Sequence, residues 1–343
     1  MGIYVLYVIA IILVALVFDF FNGVKDAANS IATIVATRVL TPRKAVVWAA
    51  FFNFVAAFGF GTHVAGTIGK GLVKPEVVDP NVVLAALLAA IAWTVICLRR
   101  GLPISVSHAL IGALAGVVLV KGGVRALFWS GIGKVALFIV VSPVVGFILG
   151  LTIMIALFWI CRNRTPRGVD KWFRVLQLVS AAAYSLAHGV NDAQKTMGII
   201  VLLLLSVPTL RHYATHSGDP ASSQIAWWII LSCHFAIAMG TYMGGWKVVR
   251  TLGHRVTRLQ PVGGFAAETG GAISILAASV MGVPVSTTHT ITGAIFGVGI
   301  TRRMFAVRWA VGADIVTAWV LTMPAAGVLA IIVYTLMRLF VLG

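Results

Sequence analysis

Two pairs of polar motifs lie within the apolar stretches of this chain, and their residue types suit ion binding. Residues 101–108 and 282–289 each contain Gly-x-Pro followed by hydroxyl residues and a histidine. Residues 22–29 and 188–195 each contain an aspartate flanked by lysine and amide side chains. Such groups are costly inside a membrane and usually have a function there. The duplication predicts one binding site built from two related halves.

The hydroxyl motifs are predicted to start helices at membrane depth. Proline suits the first turn of a helix, and serine and threonine are common N-caps. The unpaired N–H groups of such a start, together with the hydroxyls, form an anion site. Ordinary caps at the membrane surface are the alternative, but the same Ser and His spacing in both copies favours binding. For His108 and His289, titration, anion contact and a hydrogen bond to a backbone carbonyl all stay open.

The acidic motifs combine ligands that suit Na⁺ or proton exchange. Carboxylate, amide and freed carbonyl oxygens are hard ligands, and Asp26 and Asp192 also offer counter-charges to the neighbouring lysines. A structural ion pair that holds a broken helix is the alternative. Asp19, Glu268 and Asp314 are further carboxylates in apolar segments.

Composition limits the class of protein. The chain is 60% hydrophobic and 10% charged, with a mean hydropathy of +1.03, whereas soluble domains are about 25% charged. We therefore expect an all-α polytopic membrane protein. The net charge of +17 is spread over short connections, which indicates membrane orientation rather than nucleic-acid binding. The cysteines have no metal or disulfide spacing.

The chain is predicted to be a tandem duplication. Residues 80–108 align with 261–289 at a constant offset of 181, and the acidic motifs align at an offset of 166. The predicted units are a first transmembrane repeat (1–161), a basic cytoplasmic linker (162–173) and a second repeat (174–343).

The two repeats are predicted to have inverted topology. Each has five predicted crossings, and the first crossing of each is too long for one straight span, so we expect it to be interrupted at its acidic motif. With the linker in the cytoplasm, the connections carry seventeen cations inside and seven outside. The crossings are 3–37, 43–68, 81–98, 102–120, 137–161, 174–206, 225–250, 262–281, 283–300 and 314–340.

Taken together, the motifs resemble the inorganic phosphate transporter (PiT) family over nearly the whole chain. The matching segments are residues 189–198, residues 26–29 and the two Pro-x-Ser-x-x-His motifs. The resemblance implies an inverted-repeat fold, with broken helices and re-entrant segments meeting at a central site. It also implies phosphate import across the cell membrane by symport with H⁺ or Na⁺, without a cofactor.

The site residues follow from the same resemblance. The expected substrate ligands are Ser105, Ser107, Ser286, Thr287, Thr288, Asn29, Asn191 and Gln194. The expected coupling-ion or proton residues are Asp26, Asp192, Glu268, Lys25 and Lys195. Na⁺ is expected to bind, if at all, at Asp26, Asn29, Asn191, Asp192 and Glu268.

One position departs from the family pattern. The first motif often has Gly-x-Asn-Asp in that family, whereas this chain has Lys25 before Asp26. An ammonium there takes the place of one cation. We expect this to weaken a Na⁺ site and to favour H⁺ coupling or transport of a metal–phosphate complex, since similar bacterial members with histidine there are proton-coupled.

Other functions stay open. A sulfate permease of the same family is the nearest alternative, because hydroxyl and N–H donors suit both oxyanions. An anion channel and a membrane phosphoester enzyme are remote, because the sequence offers neither rings of cations nor a clear nucleophile. The expected partners are inorganic phosphate, a coupling cation and the lipid bilayer, with no nucleic acid. A homodimer is compatible with the sequence, which does not fix the subunit number.

Overall fold

The computed structural model describes residues 2–59, 61–217, 224–301 and 307–340. Within these ranges the chain forms twelve α-helices and no strand. The helices are α1 (Gly2–Ala36), α2 (Pro42–Val55), α3 (His63–Lys70), α4 (Pro80–Arg100), α5 (Val106–Gly122), α6 (Trp129–Cys161), α7 (Pro166–Ser206), α8 (Trp227–Met243), α9 (Trp246–Arg250), α10 (Pro261–Val280), α11 (Thr287–Ile300) and α12 (Trp309–Phe340).

Proline and glycine mark the helix boundaries that matter for the site. Four helices, α2, α4, α7 and α10, begin with proline, whose ring fixes a helical φ. Gly101 and Gly282, which follow α4 and α10, have φ of 71° and 68°. Glycine adopts this left-handed conformation without strain. Both hydroxyl motifs therefore begin at the same kind of turn.

Several helices are suited to lipid. Among the described residues, α1, α4, α6 and α12 are long and apolar enough to cross a membrane, and two bent helix pairs bring the number to six. Large apolar side chains are exposed along α6 and α12, for example Trp159 at 66% and Val320 at 57%. The chain is a multi-pass membrane protein.

The two helices that carry the acidic motifs are continuous. α1 has 35 residues and α7 has 41, which at 1.5 Å per residue is about 52 and 62 Å. The predicted interruption of the spans 3–37 and 174–206 at their acidic motifs is therefore wrong. The polar side chains of the motifs find partners on neighbouring segments, so the backbone does not have to unwind to satisfy them.

The interruptions fall in the second segment of each half instead. The α2 segment meets α3 at 82°, and α8 meets the segment that starts with α9 at 63°. The predicted crossings 43–68 and 225–250 are thus bent. Gly244, with φ 71°, lies at the second bend.

The segments α4–α5 and α10–α11 form two helical hairpins, called here hairpin 1 (80–122) and hairpin 2 (261–300). The two ends of hairpin 1 lie on the same face, because Lys121 pairs with Asp79. α5 and α11 have 17 and 14 residues, or about 26 and 21 Å, less than the ~30 Å of a bilayer core. The predicted crossings 102–120 and 283–300 are therefore not full spans.

The tip of hairpin 1 reaches the depth of the first acidic motif. Leu98 and Lys25 both border Gly245, so the end of α4 lies beside the middle of α1. Arg99 and Arg100 consequently lie at a hairpin tip rather than in a loop beyond a complete crossing. This arrangement agrees with the re-entrant segments that the sequence predicts.

Each half packs one long helix against the hairpin of the other half. α6 packs on α11, and α12 packs on α5. At both interfaces a glycine touches a backbone oxygen: a Cβ on Gly293 would lie 2.0 Å from the oxygen of Pro143, and one on Gly112 would lie 2.4 Å from that of Met323. α11 runs parallel to α6, whereas α5 ends where α6 begins. α5 and α11 therefore run in opposite directions, a pattern that favours an inverted repeat.

Candidate functional site

A buried polar stripe runs along α1 and faces another on α7. On each helix the polar positions recur every three or four residues, which places them on one face. The α1 stripe comprises Asp19, Asn22, Asp26, Asn29 and Thr33. The α7 stripe comprises Gln177, Ser180, Tyr184, His188, Asp192 and Lys195.

Lys25 links the first stripe to both hairpin tips. Its Nζ donates to Asp26 Oδ1 at 2.5 Å and to Thr288 Oγ1 of hairpin 2 at 2.6 Å. It also donates to the carbonyl oxygen of Ile104, at the tip of hairpin 1. The lysine is fully buried, so these three acceptors replace its water.

Lys195 repeats this arrangement from the other half. Its Nζ donates to Asp192 Oδ1 at 2.6 Å, to Ser107 Oγ of hairpin 1 at 2.5 Å and to the carbonyl oxygen of Val285 of hairpin 2 at 2.8 Å. Ser107 and Thr288 are equivalent at the offset of 181, as are Ile104 and Val285. Each ammonium therefore binds one carboxylate, one hydroxyl and one tip carbonyl.

The lysines themselves are not equivalent positions. At the offset of 166, Lys25 aligns with Asn191, and Asn29 aligns with Lys195. Each half thus supplies one lysine and one asparagine with their positions exchanged. Asn29 Nδ2 donates to Asp26 Oδ1 at 2.8 Å and to Thr288 Oγ1 at 2.9 Å. The alignment of the two repeats shows this exchange, and Lys25 is the part of it that departs from the family pattern.

Asp26, His188 and Asp192 form the group best placed to hold a cation. His188 Nε2 lies 3.3 Å from Asp192 Oδ2 and 4.0 Å from Asp26 Oδ2. One ligand atom from each residue lies within 4.8 Å of the others. The oxygens fit a hard cation, but both carboxylates already accept an ammonium hydrogen bond.

The hydroxyl motifs begin helices, as predicted. Ser105 Oγ accepts from His108 N at 3.2 Å, and Ser286 Oγ accepts from His289 N at 3.3 Å. These two serines are N-caps, so Ser107, Thr287 and Thr288 are the hydroxyls that reach the charged centre. Thr287 Oγ1 donates to Asp192 Oδ2 at 3.3 Å, and Thr288 Oγ1 to Asp26 Oδ1 at 3.0 Å.

Two of the expected substrate ligands are engaged elsewhere. Gln194 Oε1 accepts from Val64 N at 2.9 Å, and Gln194 Nε2 donates to the carbonyl of Gly61 at 2.8 Å. It therefore holds the start of α3. Asn191 Nδ2 donates to Ser279 Oγ at 2.8 Å and so fastens hairpin 2.

Glu268 lies in a separate polar cluster. It accepts from Thr33 Oγ1 at 2.5 Å, from Gln177 Nε2 at 3.0 Å and from the hydroxyl of Ser180. Thr33 is two turns beyond Asp26 on α1, about 10 Å along the helix. The structure does not bring Glu268 into direct contact with the two aspartates.

The two histidines meet between the hairpins. The rings of His108 and His289 are 4.9 Å apart, and His289 stacks on Trp319 at 3.9 Å. Trp319 Nε1 donates to the carbonyl of Pro103 at 2.9 Å. Trp319 of α12 thus contacts both hairpins, through the His289 ring of hairpin 2 and the Pro103 carbonyl of hairpin 1.

Asn53 and His188 belong to the site but were not predicted from the sequence. Asn53 Oδ1 lies 3.1 Å from His188 Nδ1, and Asn53 Nδ2 donates to Thr241 Oγ1 at 2.8 Å. An amide in an apolar stretch, fully buried in the structure, was the available signal for Asn53. For His188 the signal was its place in the acidic motif, four residues before Asp192.

Comparison with known proteins agrees with this geometry. Residues 22–330 match a family model described as the phosphate transporter family. A probable low-affinity inorganic phosphate transporter of Rhizobium meliloti (strain 1021) is 52% identical over 95% of each chain. One of Bacillus subtilis (strain 168) is 39% identical over 99% of each chain.

A solved structure has the same architecture. It is described as the sodium-dependent phosphate transporter and superposes with a TM-score of 0.85, at 27% identity, over 98% of this chain and 100% of that one. The family model, the relatives and this superposition all cover the segments that hold the paired lysines and the hairpins. The chain belongs to the phosphate transporter family.

Proposed function

We propose that this protein is a symporter that imports inorganic phosphate by alternating access, driven by H⁺, with Na⁺ as the alternative coupling ion. The observation that supports this most strongly is the pair of ammonium groups, each held by an aspartate and by both hairpin tips. Phosphate transport agrees with the family of the chain.

Phosphate binds where the two tips converge. Its oxygens accept from Lys25 and Lys195, from the hydroxyls of Ser107 and Thr288, and from N–H groups at the starts of α5 and α11. Charge-assisted bonds of this kind are short and strong, and helix starts favour anions.

Coupling follows from charge balance. When phosphate binds the ammonium groups, Asp26 and Asp192 lose the positive charges that balance them, in a medium that disfavours an uncompensated carboxylate. A cation that enters with phosphate restores the balance. Lys25 binds Asp26 Oδ1 before phosphate enters, so a Na⁺ that binds first competes with the ammonium, and we favour a proton. The solved relative is described as sodium-dependent, which supports Na⁺ as the alternative.

The cargo is phosphate alone or a metal–phosphate complex. Asp26, His188 and Asp192 offer one ligand atom each to a metal that arrives with the anion. Uptake measured with and without Mg²⁺ separates the two forms.

Two mirrored contacts are suited to gating. Thr67 of α3 donates to the carbonyl of Gly282 at 2.7 Å, and Thr251, next to α9, donates to that of Gly101 at 3.0 Å. Each bent segment thereby fastens the hairpin of the other half. We propose that these contacts open in alternation.

The test is Asp192→Asn in proteoliposomes with labelled phosphate. Concentrative uptake should fall at least about tenfold, because an amide cannot balance Lys195. Asp170→Asn is the control, since Asp170 is an exposed partner of Arg174. Full activity of Asp192→Asn contradicts the proposal, and inhibition of wild-type uptake by excess sulfate favours a sulfate permease.

A further inference from the structure

A third aspartate in the α1 stripe differs from the two central ones. Asp19 lies seven residues before Asp26 on the same continuous helix, about 10 Å away along the axis. It is fully buried, with a relative exposure of 0%. Neither of its carboxylate oxygens has a hydrogen-bond partner among the residues that the structure describes.

Every other carboxylate buried near the centre has such partners. Asp26 and Asp192 each accept from a lysine, and Glu268 accepts from three side chains. In the described part of the chain, no lysine or arginine forms an ion pair with Asp19. An isolated carboxylate in a buried environment strongly disfavours its charge, so Asp19 needs a proton or another cation.

The surroundings of Asp19 contain two neutral polar side chains, which can donate as well as accept hydrogen bonds, and few charges. Asn22 of α1 and Thr196 of α7 lie beside the carboxylate. Asn22 Oδ1 and Thr196 Oγ1 also have no hydrogen-bond partner in the described ranges. The ionisable groups that face Asp19 from the packed helices are His188 and Asp192 of α7 and Cys233 of α8.

The geometry favours a proton over Na⁺. Na⁺ sites in transporters draw on unwound backbone carbonyls, but α1 and α7 are continuous helices at Asp19 and Thr196. Their carbonyls serve the helical ladder, which leaves four side-chain oxygens. A proton needs the carboxylate alone.

We propose that Asp19 is a proton-binding residue of the coupling machinery, separate from the Lys–Asp pairs of the phosphate site. This rests on the proposed function as a symporter. The carboxylate takes one proton from water on the side to which the site is open and becomes a neutral carboxyl. It returns that proton to water on the other side after the transporter has changed its orientation.

Phosphate and the Asp19 proton then support each other's binding. When phosphate binds Lys195, Asp192 loses its ammonium partner. The uncompensated negative charge of Asp192, on the neighbouring helix α7, then acts on Asp19. This favours protonation of Asp19, and by linkage the protonated form binds phosphate more tightly.

A cavity lies beside α7 and α8, the two helices that contribute neighbours of Asp19. It has a volume of about 470 Å³, and its walls include Met197 and His234. These residues directly follow Thr196 and Cys233, two neighbours of Asp19. The segments of α7 and α8 that pack beside Asp19 therefore also contribute to the wall of this cavity.

The experiment measures protons taken up when phosphate binds to the purified protein in weak buffer with a pH indicator. Asp19→Asn should take up one proton fewer than the wild type. In proteoliposomes it should still exchange phosphate at equal pH on both sides, while accumulation driven by a pH gradient falls at least about tenfold. Asp170→Asn is the control and should behave as the wild type, because Asp170 lies exposed near the start of α7.

Other outcomes separate the proposals. Unchanged proton uptake and unchanged accumulation in Asp19→Asn overturn the role of Asp19. A wild type that accumulates no phosphate under any gradient overturns the proposed function itself. Na⁺-stimulated phosphate binding that is lost in Asp19→Asn assigns the site to Na⁺ instead.

If Asp19→Asn does not fold, Asp19→Glu provides a second test of the proposal. Asp19→Glu keeps a titratable carboxyl, so phosphate binding should still generate the infrared band of a protonated carboxyl, at a shifted frequency. An unshifted band in Asp19→Glu means that another residue carries the proton and contradicts the proposal.

Discussion

A buried lysine must have its charge balanced, and the two central lysines achieve this with the same three kinds of acceptor. Lys25 and Lys195 each bind a carboxylate, a hydroxyl of one hairpin and a tip carbonyl of the other. Under the proposed function, phosphate binding would break these bonds and so create the need for a coupling cation. A phosphate that draws an ammonium away leaves an aspartate that needs a cation.

Replacement of Lys25 by asparagine tests the role of this ammonium. Lys25→Asn should weaken phosphate binding roughly tenfold or more, since a charge-assisted bond contributes about 1.5–3 kcal/mol. It should also make uptake depend more on Na⁺, because the space beside Asp26 becomes free. Lys134→Asn, on the exposed surface of α6, is the control. Uptake by Lys25→Asn that stays insensitive to Na⁺ contradicts the explanation.

The serines of hairpin 1 should separate binding from stability. Ser107→Ala removes an acceptor of Lys195 and a donor to phosphate, so the KM for uptake should rise about tenfold, or about 1.4 kcal/mol. Ser105→Ala removes the N-cap of α5 and should lower the free energy of unfolding by about 1 kcal/mol. Uptake kinetics and thermal unfolding of the two variants measure this. Equal KM values would show that Ser107 does not contact the substrate.

At the scale of the elements, the hairpins place the site and the long helices support it. α5 and α11 begin at the centre because a left-handed glycine ends the preceding helical turn and a serine caps the next helix. Each hairpin is then held by a helix of the other half, α5 by α12 and α11 by α6. The close approach of these helices depends on glycine.

A methyl group at Gly293 should disrupt this packing. In Gly293→Ala the Cβ would lie 2.0 Å from the oxygen of Pro143, so α6 and α11 must move apart. We expect destabilisation of about 1–3 kcal/mol or more. Gly133→Ala on α6 is the control, because no atom lies within 4 Å of its added Cβ. Thermal unfolding in detergent compares the two, and equal melting temperatures would contradict the packing model.

The sequence predicts the hairpin tips better than the course of the helices. Gly, Pro and Ser at Gly101–Ser105 act locally, so their pattern predicts the turn and the cap. The continuity of α1 and α7 depends on partners such as Thr288 and Ser107, which other segments bring in, and local spacing does not reveal them. Gln194 belongs to the same motif as Asp192, yet it caps α3, because its side chain meets the α2–α3 bend.

At the scale of the whole molecule, two similar halves interlock around one charged centre. The two halves have the same order of helices. Each hairpin tip contacts two lysines, one from each half. We propose that this symmetry of contacts lets the two hairpins move in alternation around the centre. Alternating access by movement of one repeat against the other around a fixed site is the mechanism that we propose for this chain.

The central claim is coupled uptake at this site, and gradient-driven accumulation tests it most directly. Purified protein in proteoliposomes receives an inward pH gradient or an inward Na⁺ gradient, each imposed alone, with labelled phosphate outside. We predict accumulation of phosphate above its external concentration under the pH gradient, without Na⁺. Phosphate that only equilibrates under both gradients contradicts symport, and accumulation strictly dependent on Na⁺ contradicts proton coupling.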